Sequence, residues 1–189
     1  MKTLQQVMVF SAIFCALGIF SSCEDKCEDT MFQIKELSMS PRTKSESSTS
    51  LTPWRISDEL PYNRLMFIMQ MPKPVSVFFT LNADCPAVWK NENRITDLKL
   101  VSDRDYNEEY PAGSDLLEIA SFSVDQINSI SKSQFLGNYV NQSEITTAYL
   151  TFNEAPLENA VHKLRLDAQT SDEKSIESAW INILLKPIE

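Results

Sequence analysis

The chain has 189 residues, of which 43% are hydrophobic, and its 17 basic and 26 acidic side chains give a formal net charge of −9. All of the acidic residues and 16 of the basic ones lie in residues 23–189, and a surface with that balance repels phosphate, which argues against a nucleic-acid partner. Three glycines cannot form a glycine-rich phosphate loop and one histidine cannot form a multi-histidine metal site, so we expect no nucleotide, metal or other cofactor.

The amino terminus has the features of an export signal. One basic residue, Lys2, precedes residues 7–20, in which Ser11 is the only polar side chain. As a helix at about 1.5 Å per residue this run would be about 21 Å long, shorter than the ~30 Å hydrocarbon core of a membrane. A short apolar run followed by small residues is typical of a cleaved signal peptide rather than of a membrane span.

Residues 18–23 read GIFSSC and place an apolar residue and two small ones directly before a cysteine. They resemble the lipobox of bacterial lipoproteins, with Phe20 where leucine is usual, a latitude familiar among Bacteroidota lipoproteins. The resemblance implies that residues 1–22 are a lipoprotein signal peptide and that Cys23 becomes the lipidated first residue of the mature protein. Each buried methylene contributes about 0.8 kcal/mol, so two or three acyl chains give stable anchoring. An ordinary secreted protein, cut after a small residue, is the alternative.

Residues 23–30 form a predicted acidic tether, with four carboxylates between Cys23 and Thr30. Such a run is usually solvated. It also resembles the acidic signal that sends Bacteroidota lipoproteins to the outer face of the outer membrane, so we expect a surface-facing protein, with a periplasm-facing one as the alternative. Thr30 matches the short acceptor pattern of O-glycosylation in these bacteria, although a plain tether residue is the simpler interpretation.

Two cysteines remain after the signal peptide and the lipidated residue are set aside. Cys27 and Cys85 are an even number of thiols in an oxidising compartment, which favours a disulfide. Such a bridge would close a loop of about 58 residues and contribute ~4 kcal/mol if it acts through chain entropy. Two unpaired thiols are the alternative, because the sequence does not show the geometry of the pair.

After the tether, alternation of apolar and polar residues predicts strands. A first strand at 31–37 should end before Pro41, and the serine-rich residues 42–53 should form a loop. Further strands are predicted, in chain order, at 63–71, 75–81, 94–102, 114–122, 145–152, 161–168 and 175–186. The last two should form a hairpin with a loop of about five residues.

One helix is predicted among these strands. Residues 123–126, SVDQ, fit a capping box, in which the serine and the glutamine satisfy each other's free amide donors, so a short helix should begin at Val124. We therefore predict a mainly β chain: an immunoglobulin-like β-sandwich of about seven or eight strands with one short helix, formed as a single domain over residues 31–189.

The order of these features is similar to that of small uncharacterised surface lipoproteins of gut Bacteroidota. The likeness covers most of residues 23–189 and rests on the acidic tether with its cysteines, on FQIKELSMS, on a cysteine shortly before RITDLKLVS, and on the terminal hairpin. The resemblance implies the location at the outer membrane and the immunoglobulin-like domain. It implies no catalytic residue in this chain.

Aromatic residues in predicted loops are the candidates for a ligand site. Trp54, Trp89, Tyr106 and Tyr110 could form a platform on which sugar rings stack, because loops on a rigid sandwich often carry the binding surface. Their alternative role is to cap an end of the core. Trp180, within the last strand, is predicted to be a core residue.

Other polar groups fit simpler roles. The spacing of Asp103, Asp105, Asn107 and Glu109 is that of oxygen ligands in a calcium loop, but the required glycine is missing and Arg104 interrupts the run, so a solvated loop is predicted. His162 should be a surface residue, since no glycine-framed serine or Cys–His signature accompanies it. The sequence therefore predicts no catalytic residue and no metal site.

The function that follows is a lipid-anchored cell-surface lipoprotein whose sandwich is a non-catalytic binding module for a glycan or an envelope protein. One alternative is a structural or accessory subunit of an outer-membrane complex. A third reading is a carboxylate-dependent hydrolase built on residues such as Asp103 and Glu109, which would need paired carboxylates ~5–10 Å apart in a cleft.

Overall fold

The computed structural model describes residues 29–44, 50–55, 61–74 and 88–188. Strands account for 46% and helices for 12% of it, so the chain is mainly β, with several sheets and one short helix, and is consistent with the predicted β-sandwich. The described residues form eleven strands rather than seven or eight, because several are only three or four residues long. The strand predicted at 75–81 lies outside the described residues.

The largest sheet, sheet 1, has five antiparallel strands in the order β3-β2-β4-β8-β7. Its strands are β2 (Ser38–Lys44), β3 (Leu51–Pro53), β4 (Leu65–Gln70), β7 (Ala120–Ser123) and β8 (Thr147–Phe152). The structure confirms the strands predicted at 63–71 and 145–152, with β4 and β8 as central neighbours. Alternate residues of β8 are buried, so this strand turns one face to the core.

Sheet 2 contains the terminal hairpin. It consists of β6 (Ile95–Ser102), β9 (Ala160–Thr170), β10 (Ser175–Glu177) and β11 (Ile181–Leu185). β9 lies between β6 on one side and β10 and β11 on the other, and all of the pairings are antiparallel. The predicted hairpin is confirmed, but its second arm is two strands, since residues 178–180 carry one residue more than the facing stretch of β9.

A pair of short parallel strands forms sheet 3. β1 (Asp29–Phe32) pairs with β5 (Val88–Asn91), and their register places Thr30 beside Trp89. The last two residues of the predicted tether, 29 and 30, therefore already belong to a strand.

The core lies between sheets 1 and 2. Phe67 and Phe152 of sheet 1 meet edge to face with ring centroids 5.6 Å apart. Tyr106, from the loop after β6, lies between Phe152 at 5.1 Å and His162 of sheet 2 at 5.9 Å, so one fully buried ring joins the two sheets.

Three of the boundaries predicted before residue 54 are wrong. The predicted loop at 42–53 begins within β2, which runs to Lys44, and its last three residues form β3. The first strand stops at Phe32, and residues 33–37 are not in a strand, although Ile34 and Leu37 are buried in the core. Pro41 does not end a strand but lies inside β2, opposite Phe67. β3 pairs with β2 only from residue 42 onward, so β2 has an open side at Pro41, where a missing N–H group costs no ladder hydrogen bond.

The predicted helix is also in the wrong place. Ser123 ends β7, and Gln126 has a φ of 67°, which is incompatible with a helix starting there. The capping box forms eight residues later, where Ser131 and Gln134 bond each other's backbone N–H groups. This box opens α1 (Lys132–Gln134), which continues as a π-helical turn over Phe135–Val140.

Candidate functional site

The three cysteines singled out from the sequence, Cys23, Cys27 and Cys85, lie outside the described residues. The predicted lipidation and the predicted disulfide therefore stay predictions. Thr30 is described and is partly exposed in β1.

Of the four aromatic residues of the predicted platform, Tyr106 cannot contribute to it. Its side chain is fully buried, and its hydroxyl donates a hydrogen bond of 2.7 Å to the carbonyl oxygen of Glu154. Burial raises the pKa of the phenol well above its ordinary value. Tyr106 is a core residue between the sheets, because the chain after β6 turns inward at this position.

The remaining three aromatic residues are on separate elements. Trp54 follows β3, Trp89 is in β5, and Tyr110 is in the loop after β6; each packs partly buried against the core. Within the described residues, no ring contact joins any two of them. The structure therefore does not assemble the predicted platform as one surface; Trp89 lines a pocket, which is described below.

Trp180 is exposed, contrary to the core position predicted for it. Its relative exposure is 45%, and the guanidinium of Arg165 lies 4.7 Å from its ring centroid. The cause is the extra residue before β11, which turns Ser178 inward and Trp180 outward. The Ser178 hydroxyl oxygen then accepts a hydrogen bond of 3.0 Å from the N–H of Leu166, in place of a ladder carbonyl.

His162 is buried rather than exposed, with 1% of its surface accessible. It lies on the same face of β9 as the buried Leu164, and its Nδ1 is 3.0 Å from the hydroxyl of Ser102. Burial lowers the pKa of the imidazole, and the nearby Arg104 lowers it further. The pair is a serine and a histidine sealed in the core, where no substrate has access to them.

Side-chain oxygens of the acidic loop after β6 accept backbone N–H groups, from β9 and from the loop itself. Asp103 accepts the N–H of Lys163 at 2.8 Å, and Asp105 accepts the N–H of Ala112 at 2.8 Å. Asn107 accepts two further backbone N–H groups of the same loop at 3.0 Å. Among the residues that the structure describes, no group of three or more acidic, histidine or cysteine side chains could hold a metal ion.

A pocket of about 590 Å³ opens beside β5, within the range of ~300–1,000 Å³ that is usual for ligand sites. We call it the Trp89 pocket. It is lined by Val88, Trp89, Lys90, Asn91, Arg94, Asn141 and Gln142. Residues 88–91 come from β5, residue 94 from the turn into β6, and the last two from the end of the helical segment.

Asn141 fixes the base of this pocket. Its side chain is 5% exposed, and the amide oxygen accepts the N–H of Ile95 at 2.8 Å while the amide nitrogen donates to the Ile95 carbonyl at 2.9 Å. The same amide group also bonds the carbonyl of Leu136 and the side chain of Asn91. Asn141 thus pairs with Ile95 as a neighbouring strand would, and every polar atom of its side chain is satisfied.

A second asparagine fixes the turn between β5 and β6 in the same manner. The amide of Asn93 accepts the N–H of Ile34 at 3.1 Å and donates to the Ile34 carbonyl at 2.8 Å. Asn91 accepts the N–H of Asn93 at 3.2 Å, which closes the turn. Side chains held by such bidentate bonds lose little further entropy when a ligand binds, so the wall of the pocket is organised in advance.

The pocket also rests on the core through Trp89. The indole meets Phe32 at 6.0 Å between ring centroids, and on Phe32 lies the ammonium of Lys73, 4.9 Å from the ring centroid. Lys73 is 8% exposed and donates to the carbonyls of Tyr139 at 2.7 Å and Ser143 at 2.8 Å. Burial lowers the pKa of Lys73 to about 8.

Of the pocket residues, the sequence pointed only to Trp89. Asn141 and Gln142 lie fifty residues further along the chain, and only the folded structure brings them to β5. The one local signal was the pair Asn91 and Asn93 at the end of a strand, since asparagine side chains commonly bond backbone groups in turns.

Comparison of the chain with protein-family models, with curated proteins and with solved structures found no match. Within the described residues, none of the helices has both the length and the apolar character needed to cross a membrane.

Proposed function

We propose that this chain is a lipid-anchored lipoprotein of the outer membrane, facing the cell surface, whose β-sandwich binds a glycan in the Trp89 pocket without catalysing a reaction. The observation that carries the binding role is the pocket itself: a partly exposed tryptophan beside amide side chains on a fixed backbone. Aromatic rings stack on the apolar faces of sugars, and amides bond their hydroxyl groups.

The lining of the pocket favours binding over catalysis. Its described residues include no carboxylic acid, histidine, serine or cysteine, whereas hydrolysis of a glycosidic bond by the usual route needs two carboxylates. Asp103 and Asp105 of the loop after β6 accept backbone N–H groups, and the Ser102–His162 pair is buried.

The placement at the membrane rests on the sequence around Cys23 and on the acidic residues after it. Its test is mass spectrometry of the protein purified from cell membranes, with an acylated Cys23 at the amino terminus as the expected product. Treatment of intact cells with protease should then degrade the domain. An unmodified cysteine would overturn the anchor, and full protection from protease would overturn the surface-facing orientation.

Glycan binding is tested with the full-length protein in detergent on a panel of immobilised glycans. Trp89→Leu keeps apolar contact with Phe32 but removes the ring, and we expect at least a tenfold loss of affinity, or about 1.4 kcal/mol. Trp54→Leu is the matched control and should bind as the wild type does. Loss of binding in both variants, or in neither, would contradict the assignment of the pocket.

A second candidate, an accessory subunit of an envelope complex, is favoured by the outer face of sheet 2. Trp180 is 45% exposed, and Val161 is 43% exposed in β9 of the same sheet. Cross-linking in cells followed by mass spectrometry separates the two functions: one stoichiometric protein partner, together with no glycan binding, would favour the subunit.

A further inference from the structure

The charge of the Trp89 pocket is opposite to that of the chain. The protein carries a net charge of −9, yet the described lining of this pocket has two cationic residues, Lys90 and Arg94, and no carboxylate. Its other polar lining residues are the neutral amides of Asn91, Asn141 and Gln142. A local positive field on an acidic protein attracts anions to one place and keeps them from the rest of the surface.

Arg94 lines the pocket on a fixed main chain and has a guanidinium group that could bind an anion. Its backbone is fixed on both sides, because Asn93 is bonded to Ile34 and Ile95 is bonded to Asn141. Its own carbonyl accepts the N–H of Ser171 at 2.8 Å. In the part of the chain that the structure describes, no hydrogen bond or ion pair engages its guanidinium group.

Arg165 provides a contrast within the same chain. Its guanidinium forms ion pairs of 2.7 Å with both Asp167 and Glu177 and lies over the ring of Trp180. An arginine paired with two carboxylates in this manner has few N–H donors and little net charge available for a ligand. Arg94 combines a fixed main chain with an uncommitted fork of N–H donors, the arrangement that binds a carboxylate through two parallel hydrogen bonds.

We infer that the Trp89 pocket binds a sugar that carries a carboxylate, with the carboxylate on Arg94 and an apolar ring face against Trp89. This inference rests on the proposed glycan-binding function and narrows it to acidic sugars. The amides of Asn91 and Gln142 supply bonds for the hydroxyl groups, which distinguish a sugar from a bare anion.

The test compares paired glycans that differ only in charge. The full-length protein in detergent is titrated with a panel of oligosaccharides that contain uronic acids or other carboxylated sugars, and with the methyl ester of each. A charge-assisted hydrogen bond that is lost on esterification should weaken binding at least tenfold. Arg94→Gln should remove the preference for the acid, whereas Arg104→Gln, the same change of charge on an exposed arginine outside the pocket, should keep it.

Each other outcome is decisive. If acids and esters bind equally, the acidic-sugar inference is wrong while the proposed glycan-binding function stands. If no member of the panel and no neutral glycan binds, both are wrong. If inorganic phosphate competes as well as the carboxylated monosaccharide does, the pocket recognises a bare anion and the inference is again overturned.

Discussion

Because Lys73 is buried, the free energy of unfolding should increase as the pH rises into the alkaline range. Its ammonium is held by two backbone carbonyls and the ring of Phe32, and the structure gives it no carboxylate partner among the described residues. Burial lowers its pKa from 10.5 to about 8. Between these two values the unfolded chain binds a proton that the folded chain does not, so stability increases as the pH rises.

The size of this effect follows from the two pKa values. A difference of about 2.5 pKa units corresponds to about 3 kcal/mol, and roughly 2 kcal/mol of it should be gained between pH 7 and pH 9.5. That interval lies below the pH at which tyrosines titrate, so the buried phenol of Tyr106 does not obscure the result.

The assay is urea unfolding of the wild type and of Lys73→Met at several pH values from 7 to 9.5. The variant keeps an unbranched apolar stem against Phe32 and removes the titrating group, so its free energy of unfolding should lack this increase with pH. Lys35→Met, at an exposed lysine on the neighbouring loop, should retain it. If the wild type and Lys73→Met follow the same curve, burial does not lower the pKa of Lys73 as described.

Three more predictions concern buried polar groups. Asn141→Asp removes two donors and buries a charge, and should lower the free energy of unfolding by about 3 kcal/mol in urea, while Gln142→Asp at the exposed neighbour should change it by less than about 1 kcal/mol. Because burial lowers the pKa of His162, stability should decrease as the pH falls below about 6.5; melting temperatures at pH 7 and pH 5 should reveal this decrease, and His162→Asn should diminish it. Ser178→Ala leaves the buried N–H of Leu166 without its acceptor and should lower the free energy of unfolding by about 1–3 kcal/mol in the same urea assay. Ser175→Ala, at an exposed position, should change it very little. Equal effects of the two changes would contradict the role given to the Ser178 hydroxyl.

Regular alternation made the terminal hairpin predictable, and a single extra residue limited that prediction. The register of β9 with β11 follows from residues such as Leu164 and Ile183, which turn to the core from facing strands. The extra residue before β11 turned Ser178 to the core and left Ala179 and Trp180 exposed, and the irregularity near the start of β6 left Thr96 exposed. One inserted residue moves the side chains that follow it to the opposite face of the sheet, and the apolar–polar alternation of the sequence does not show where such an insertion lies.

The misplaced helix has a tertiary cause. Two segments, 123–126 and 131–134, share the pattern of serine followed three residues later by glutamine. The second is selected because Phe135 stacks on Phe122 at 4.8 Å and Lys132 bonds Asp97 and Asp115 on either side. These are contacts between distant parts of the chain, so local capping chemistry could not decide between the two segments.

His162 could have been placed correctly from the sequence, whereas the pocket could not. Its position has the same parity as Leu164 and Leu166, the leucines of the predicted strand, and only the usual exposure of histidine suggested otherwise. The pocket depends on Asn141 reaching Ile95, a contact across 46 positions of the chain that leaves no local pattern.

The parallel pairing of β1 with β5 has a mechanical consequence. Any tension applied through the residues before Asp29 reaches β1 first, and the ladder passes it to the strand that holds Trp89. A force directed along these strands would load their hydrogen bonds together in shear rather than one at a time. A force applied from the amino-terminal side would therefore act on the β5 wall of the Trp89 pocket before it acted on sheet 1 or sheet 2.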